Sequence, residues 1–233
     1  MNLWIGTLGG LNKFDRTNES FKSYRYNAND TNSINSNVTH CIYEDKSGRF
    51  WVGTGKGLNL FDQDNEIFTR FYFKYGDSKS HSASIPNQYN LCINAITEDP
   101  LSGDLLIGTE TDGLWKFDVK EKTFSKYDFN ADNNFDKKIG RIQSFYKARD
   151  GKIWMASKNT LSSLDPYGKT FKSYIEFPIM ADQHITKPIF VEGTVIEDQD
   201  GLIWSGFVFG ERGVYCLNPA TGSFFQYNLF PEK

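Results

Sequence analysis

Phe50-Trp51-Val52-Gly53-Thr54 follows the turn-forming run Asp45-Lys46-Ser47-Gly48 and precedes Gly57-Leu58-Asn59-Leu60-Phe61-Asp62. Its kernel, an apolar pair and then a small residue, occurs five times. The copies are Trp4-Ile5-Gly6-Thr7, Trp51-Val52-Gly53-Thr54, Leu106-Ile107-Gly108-Thr109, Trp154-Met155-Ala156-Ser157 and Trp204-Ser205-Gly206-Phe207, at offsets of 47, 55, 48 and 50 residues. The flanks recur in phase. Asp15, Asp62, Asp118, Asp165 and Asn218 follow the kernel, and six residues on comes Phe21, Phe68, Phe124, Phe171 or Phe224. Three further residues bring Tyr24, Phe71, Tyr127, Tyr174 or Tyr227. A glycine stands three residues before the kernel in units two to five, as Gly48, Gly103, Gly151 and Gly201. Self-similarity at this period is the mark of a repeat architecture.

Each unit reads as four short strands. Val38 to Glu44 or Ile93 to Glu98 forms the first, and Phe50 to Thr54 the second. Gly57 to Phe61 forms the third and Ile67 to Tyr72 the fourth, with polar turns between. Apolar residues occupy both sides of the second strand, so it should be covered on both faces. No segment keeps a 3.6-residue period over helical length. A lone four-stranded sheet of this kind leaves two apolar faces wet, and stacking successive sheets buries them. The expectation is an all-β fold, a β-propeller of four-stranded antiparallel blades. It comprises one domain over residues 1–233, with units at about 1–37, 38–91, 92–140, 141–190 and 191–233 and the first blade incomplete, giving about nineteen strands. The small residue two positions after each Trp should admit the adjacent blade. A blade lacking a strand exposes a sheet edge, so pairing with a second copy, or an incomplete ring, is expected.

Composition agrees. Twenty Phe, 12 Tyr, 5 Trp and 20 Gly favour strands and turns. The net charge of −3 argues against a nucleic-acid partner and a polybasic membrane contact. No apolar run reaches the roughly 18 residues of a membrane helix, and residues 1–10 lack a secretory signal. Three Cys cannot form a complete disulfide framework, and Cys41, Cys92 and Cys216 read as buried free thiols. His40 reads as structural, while His81 and His184 lie in the two longest connections. The run from Asp128 to Asp136 imitates a calcium loop but lacks its sixth-position glycine and twelfth-position glutamate. No catalytic residue, metal site or cofactor is expected.

The run Ile42-Tyr43-Glu44-Asp45-Lys46-Ser47-Gly48-Arg49-Phe50-Trp51-Val52-Gly53-Thr54, with Ser33-Ile34-Asn35-Ser36-Asn37 before it, resembles the two-component regulator propeller repeat. Ile196-Glu197-Asp198-Gln199-Asp200-Gly201-Leu202-Ile203-Trp204 resembles it too, and the likeness extends over essentially the whole chain. The resemblance implies the periplasmic or extracytoplasmic sensor region of a bacterial hybrid histidine kinase. It implies a small-molecule or oligosaccharide ligand, and a partner in the rest of a larger sensor chain. The kinase and receiver elements are absent from the sequence. The resemblance also implies a fragment or a mis-called start.

Loop lengths point to a binding face. The three–four spacing is constant, whereas the two–three turns and the unit-to-unit connections carry nearly all insertions. In an up-and-down blade those two classes share one end. There Tyr75, Tyr89 and Phe209 are candidates for stacking on sugar rings, and Lys56, Lys158 and Arg212 for pairing with carboxylate or sulfate. Glu110 and Asp112 are candidates for accepting from hydroxyls. The alternatives are a propeller lyase or hydrolase, which would need a His–carboxylate pair near the axis, and a protein-interaction scaffold.

Overall fold

The computed structural model of the chain describes residues 3–74, 88–89, 91–127, 140–157, 160–167, 170–176, 193–207 and 213–228. Two compact units make up the chain, residues 1–127 and 128–233. The described residues contain no helix.

The first unit holds three sheets. Sheet one has β1 (Leu3–Thr7), β2 (Gly10–Asp15) and β3 (Ser20–Tyr24). Sheet two has β4 (Thr39–Glu44), β5 (Phe50–Thr54), β6 (Gly57–Asp62) and β7 (Ile67–Phe71). A two-stranded ribbon, β8 (Phe73–Lys74) with β9 (Gln88–Tyr89), stands in the long connection that follows, where the sequence signalled only a loop. Sheet three has β10 (Ile93–Glu98), β11 (Leu105–Thr109), β12 (Leu114–Asp118) and β13 (Thr123–Lys126). The second unit holds two more sheets. One has β14 (Ile142–Lys147), β15 (Ile153–Ser157), β16 (Thr160–Asp165) and β17 (Thr170–Glu176). The other has β18 (Thr194–Glu197), β19 (Ile203–Phe207), β20 (Gly213–Leu217) and β21 (Phe224–Asn228). Within every sheet neighbours in sequence pair antiparallel, so each is a meander.

The one–two turns show why the glycine recurs. Gly48, Gly103, Gly151 and Gly201 all take positive φ, between 72° and 86°, where a Cβ is disfavoured. Asp45 organises its turn. One carboxylate oxygen accepts the amides of Ser47 and Arg49, and the other accepts Trp51 Nε1 at 2.7 Å and Arg49 Nε at 2.6 Å. Asp198 repeats this with the amides of Asp200 and Leu202 and with Trp204 Nε1 at 2.5 Å. An acid six residues ahead of a Trp thus fixes the rotamer of the indole that the blade presents to its neighbour.

Within each unit the sheets pack face to face through the repeated positions. Trp4 and Tyr24 of sheet one meet Phe50, Phe61 and Phe68 of sheet two. Trp51 packs with Leu105, Ile107 and Phe117 of sheet three, and Trp154 with Val195, Ile203 and Leu217 of the last sheet. Trp51 and Trp154 are each 1% exposed, as indoles sealed by the following blade should be. The second strands β5, β11 and β15 are buried along their whole length. Ion pairs recur in phase as well. Lys46 reaches Glu98 of the next sheet at 3.7 Å, and Arg149 reaches Glu197 of the next sheet at 3.3 Å.

The small residue after the Trp is where neighbouring blades approach. A Cβ on Gly6 would lie 2.8 Å from Thr39 Cγ2, and one on Gly53 would lie 2.7 Å from Ile93 Cγ2, both in the first strand of the following sheet, and the latter would also strike Cys41 Sγ of its own sheet. At Gly206, in the last sheet, nothing lies within 4 Å. Gly53→Ala is therefore expected to cost about 1–3 kcal/mol through overpacking, and Gly206→Ala to be nearly neutral. Chemical denaturation of the two variants checks this, and equal losses would contradict the packing role.

Candidate functional site

The two–three turns carry the loop end, and a hydroxyl holds the first four. Thr54 Oγ1 accepts the Lys56 amide at 3.1 Å and lies 3.1 Å from Gly57 O. Thr109 does the same with Gly113 O and the Asp112 amide, at 2.9 and 3.0 Å. Thr7 and Ser157 bond the carbonyls of Gly10 and Thr160 at the matching turns. The kernel's fourth residue is therefore a turn clamp, which the recurrence of Thr7, Thr54, Thr109 and Ser157 could have signalled. Beneath the second of these turns lies a buried amide network. Asn35 Oδ1 accepts Thr54 Oγ1 at 2.6 Å and Asn59 Nδ2 at 2.9 Å, and Asn59 Oδ1 accepts the Asn35 amide at 3.0 Å. The Ser33–Asn37 segment is thereby locked under the loop end.

Among the candidate ligand residues, Lys56, Glu110 and Asp112 have described side chains. Lys56 is exposed, and its Nζ lies 5.3 Å from the ring of Tyr26, over which Arg70 Cζ also sits at 5.5 Å. Three bonds hold Arg70 in place, from Nε to Ser33 O and from a terminal nitrogen to Asp30 O and Ser33 Oγ. Tyr26 is 39% exposed, so a partly open ring has two cations beside it. No sequence feature singled out Tyr26, because it belongs to the connection after sheet one and meets Lys56 only through the fold. Asp112 is engaged within its own blade. Its carboxylate accepts Trp115 Nε1 at 3.0 Å and pairs with Lys126 Nζ at 2.9 Å. Glu110 Oε2 accepts Asn94 Nδ2 at 2.9 Å. Tyr89 is placed by its backbone in β9. Tyr75, Lys158, Phe209 and Arg212 lie outside the described residues, as do His81, His184 and the 128–136 segment.

His40 and the thiols differ from expectation. Register shifts interrupt both first strands, between Thr39 and Cys41 and between Ile93 and Ala95, so His40 and Asn94 are bulge residues. A bulge re-aims its side chain, and His40 is exposed rather than packed. Its Nε2 lies 3.1 Å from Cys92 Sγ. None of the three cysteines is in a disulfide, but only Cys216 is buried, and Cys41 and Cys92 are half-buried. Among the described residues no group of three or more His, Cys, Asp or Glu is placed to hold a metal ion.

Stacked four-stranded meanders whose indoles are sealed by the next sheet define a β-propeller. Residues 32–56 match the family model described as two component regulator propeller, so this chain carries that repeat. No curated protein matches the chain in sequence. Among solved structures it is similar to the extracellular domain assigned to the hybrid two component system BT3049 from B. thetaiotaomicron. That match has a TM-score of 0.70 at 21% identity and covers 99% of this chain and 27% of that one. The extracellular domain assigned to system BT4673 of the same organism gives 0.68 at 20% identity, over 98% of this chain and 30% of that one. Virginiamycin B lyase from Staphylococcus aureus gives 0.62 at 12%, over 97% of this chain and 66% of that one. The chain thus spans less than a third of the two sensor-type domains and shares the propeller fold with all three.

Proposed function

We propose that the chain is a non-catalytic, ligand-sensing part of an extracytoplasmic propeller, and that its loop end takes an acidic oligosaccharide. The Lys56–Tyr26–Arg70 arrangement carries this reading. An exposed ring offers a stacking face, and two cations beside it suit a carboxylate or sulfate. The likeness to two extracellular domains of two-component systems supports the sensing role and the location. Calorimetric titration of the protein with sulfated, uronate-containing and neutral oligosaccharides tests it. Binding should favour the charged sugars and weaken with salt. Tyr26→Ala and Lys56→Ala should each lower affinity about tenfold, in line with roughly 1–2 kcal/mol for a stacking or cationic contact, without lowering the melting temperature. Equal binding of neutral sugars, or unchanged affinity in both variants, would refute the acidic-sugar reading. Turnover of a bound sugar would favour the lyase alternative.

The partner reading is that further propeller repeats of a larger sensor chain cover the exposed apolar faces. Ile196, Trp204, Cys216 and Phe225 lie side by side across the last sheet, and Ile196 and Phe225 are more than half exposed. The matching row in sheet two, Tyr43, Trp51 and Leu60, packs against the next sheet. Leu3 and Phe21 of sheet one are 42% and 60% exposed, where Phe50 and Phe68 of sheet two are 5% and 3% under Trp4 and Tyr24. A second copy would serve the same faces. Self-association that Phe225→Glu abolishes, read by light scattering, would favour the second copy over the larger chain.

A further inference from the structure

We propose that Cys92, with His40 as its base, is an addressable nucleophilic thiol at the loop end that takes small-molecule disulfides. The pair is built by the packing of sheet three on sheet two. Cys92 directly precedes β10, and His40 bulges from β4, the neighbouring first strand. With Nε2 unprotonated the ring accepts the thiol proton across 3.1 Å, the reach of a nucleophile and its base. Asn94 Oδ1 lies 3.5 Å from the sulfur, held in that orientation by the bond from its amide to Glu110, and as an acceptor it favours the thiol over the thiolate, so the drive to deprotonate comes from His40. The Glu110 amide also donates to Cys92 O at 3.0 Å, which ties the cysteine backbone to the two–three turn. His40 is exposed, and its contact with the sulfur lies at the surface.

The other two thiols lack this setting. Burial pushes the Cys41 thiol up to about 12, and burial likewise raises Cys216. Among the described residues, the titratable groups beside the pair include Cys41, from the same strand as His40, and Glu110, reached through Asn94. The exchange step balances without further reagents. Nε2 takes the thiol proton, and the thiolate attacks one sulfur of the disulfide. A bond forms between Cys92 Sγ and that sulfur as the original S–S bond breaks, and the leaving thiolate takes the proton from the imidazolium.

The test uses the native 233-residue protein and the neutral disulfide 4,4′-dithiodipyridine, with released thiopyridone followed by absorbance. One fast equivalent per chain is expected, mapped to Cys92 by peptide mass and lost in Cys92→Ser. His40→Ala should slow it at least about tenfold at pH 7, with the gap closing above about pH 9, where a thiol of ordinary pKa ~8.5 ionises unaided. Cys41→Ser should leave the rate unchanged. Circular dichroism of His40→Ala separates a lost base from a lost fold, and Asn94→Ala, which removes a competing acceptor, should not slow the reaction. Labelling of Cys41 or Cys216 as fast as Cys92, or an unchanged rate in folded His40→Ala at pH 7, would overturn the proposal.

Discussion

Trp51→Ala is expected to cost the 1–127 unit about 3–5 kcal/mol, whereas Trp204→Ala should cost about 1 kcal/mol. The two tryptophans hold the same place in the repeat and the same bond to an aspartate. Their surroundings differ. Trp51 is 1% exposed, with Phe71 and Phe117 at 6.1 and 5.7 Å between ring centres. Removing it opens a cavity walled by two sheets, which cannot close without separating their backbones. Trp204 is half-buried and stacks on Tyr227 of its own sheet at 5.6 Å, so its loss exposes little that was dry. Denaturant unfolding followed by far-ultraviolet circular dichroism compares them. Equal losses would mean that the indole serves its own blade rather than the contact between blades.

Asp45→Ala should be nearly as damaging, at about 3 kcal/mol, with a signature in acid. Its side chain is fully buried and satisfies two backbone amides, the Trp51 indole and the Arg49 guanidinium. Alanine strands the indole N–H and both amides, and bonds to a charged acceptor contribute about 1.5–3 kcal/mol each. Asparagine should recover part of the loss, since its oxygen can still accept while its amide cannot. Burial pushes the carboxyl up, but the bonds from Trp51 and from the Arg49 amide and guanidinium together outweigh it, leaving the group below its ordinary 3.8. A carboxyl depressed in the folded state stabilises above its unfolded value, and the contribution fades as pH falls through the folded one. The wild type should therefore lose stability more steeply than Asp45→Ala below about pH 4, and the two should run parallel from pH 5 to 7. Melting temperatures across that range decide it, and parallel curves below pH 4 would show that the carboxylate is not the stabilising species.

Much of this was legible in the chain. Recurrence of Trp, Gly, Asp and Phe in phase marked the blades because a strand pairs with its neighbour in sequence, so local patterning and global topology coincide. The strand boundaries drawn for sheet two differ from the observed ones by a single residue at Val38, at Asp62 and at Tyr72. The in-phase pairing of Lys46 with Glu98 and of Arg149 with Glu197 was also present in the spacing, but a charge pattern does not say which sheet its partner occupies. The loop end was harder. Length variation pointed to it and selected Lys56 and Glu110, yet it could not select Tyr26, whose role comes from a contact with the next repeat.

The sequence by itself determined that the chain is a run of about five meandering sheets, and where the kernel indole falls in the four that carry one, because backbone pairing within a meander needs only local order. The tertiary structure alone decided which of those indoles are sealed and which stand at an open face. It alone brought His40 to Cys92, 52 residues away, since side chains in different repeats meet only when one sheet is laid against another.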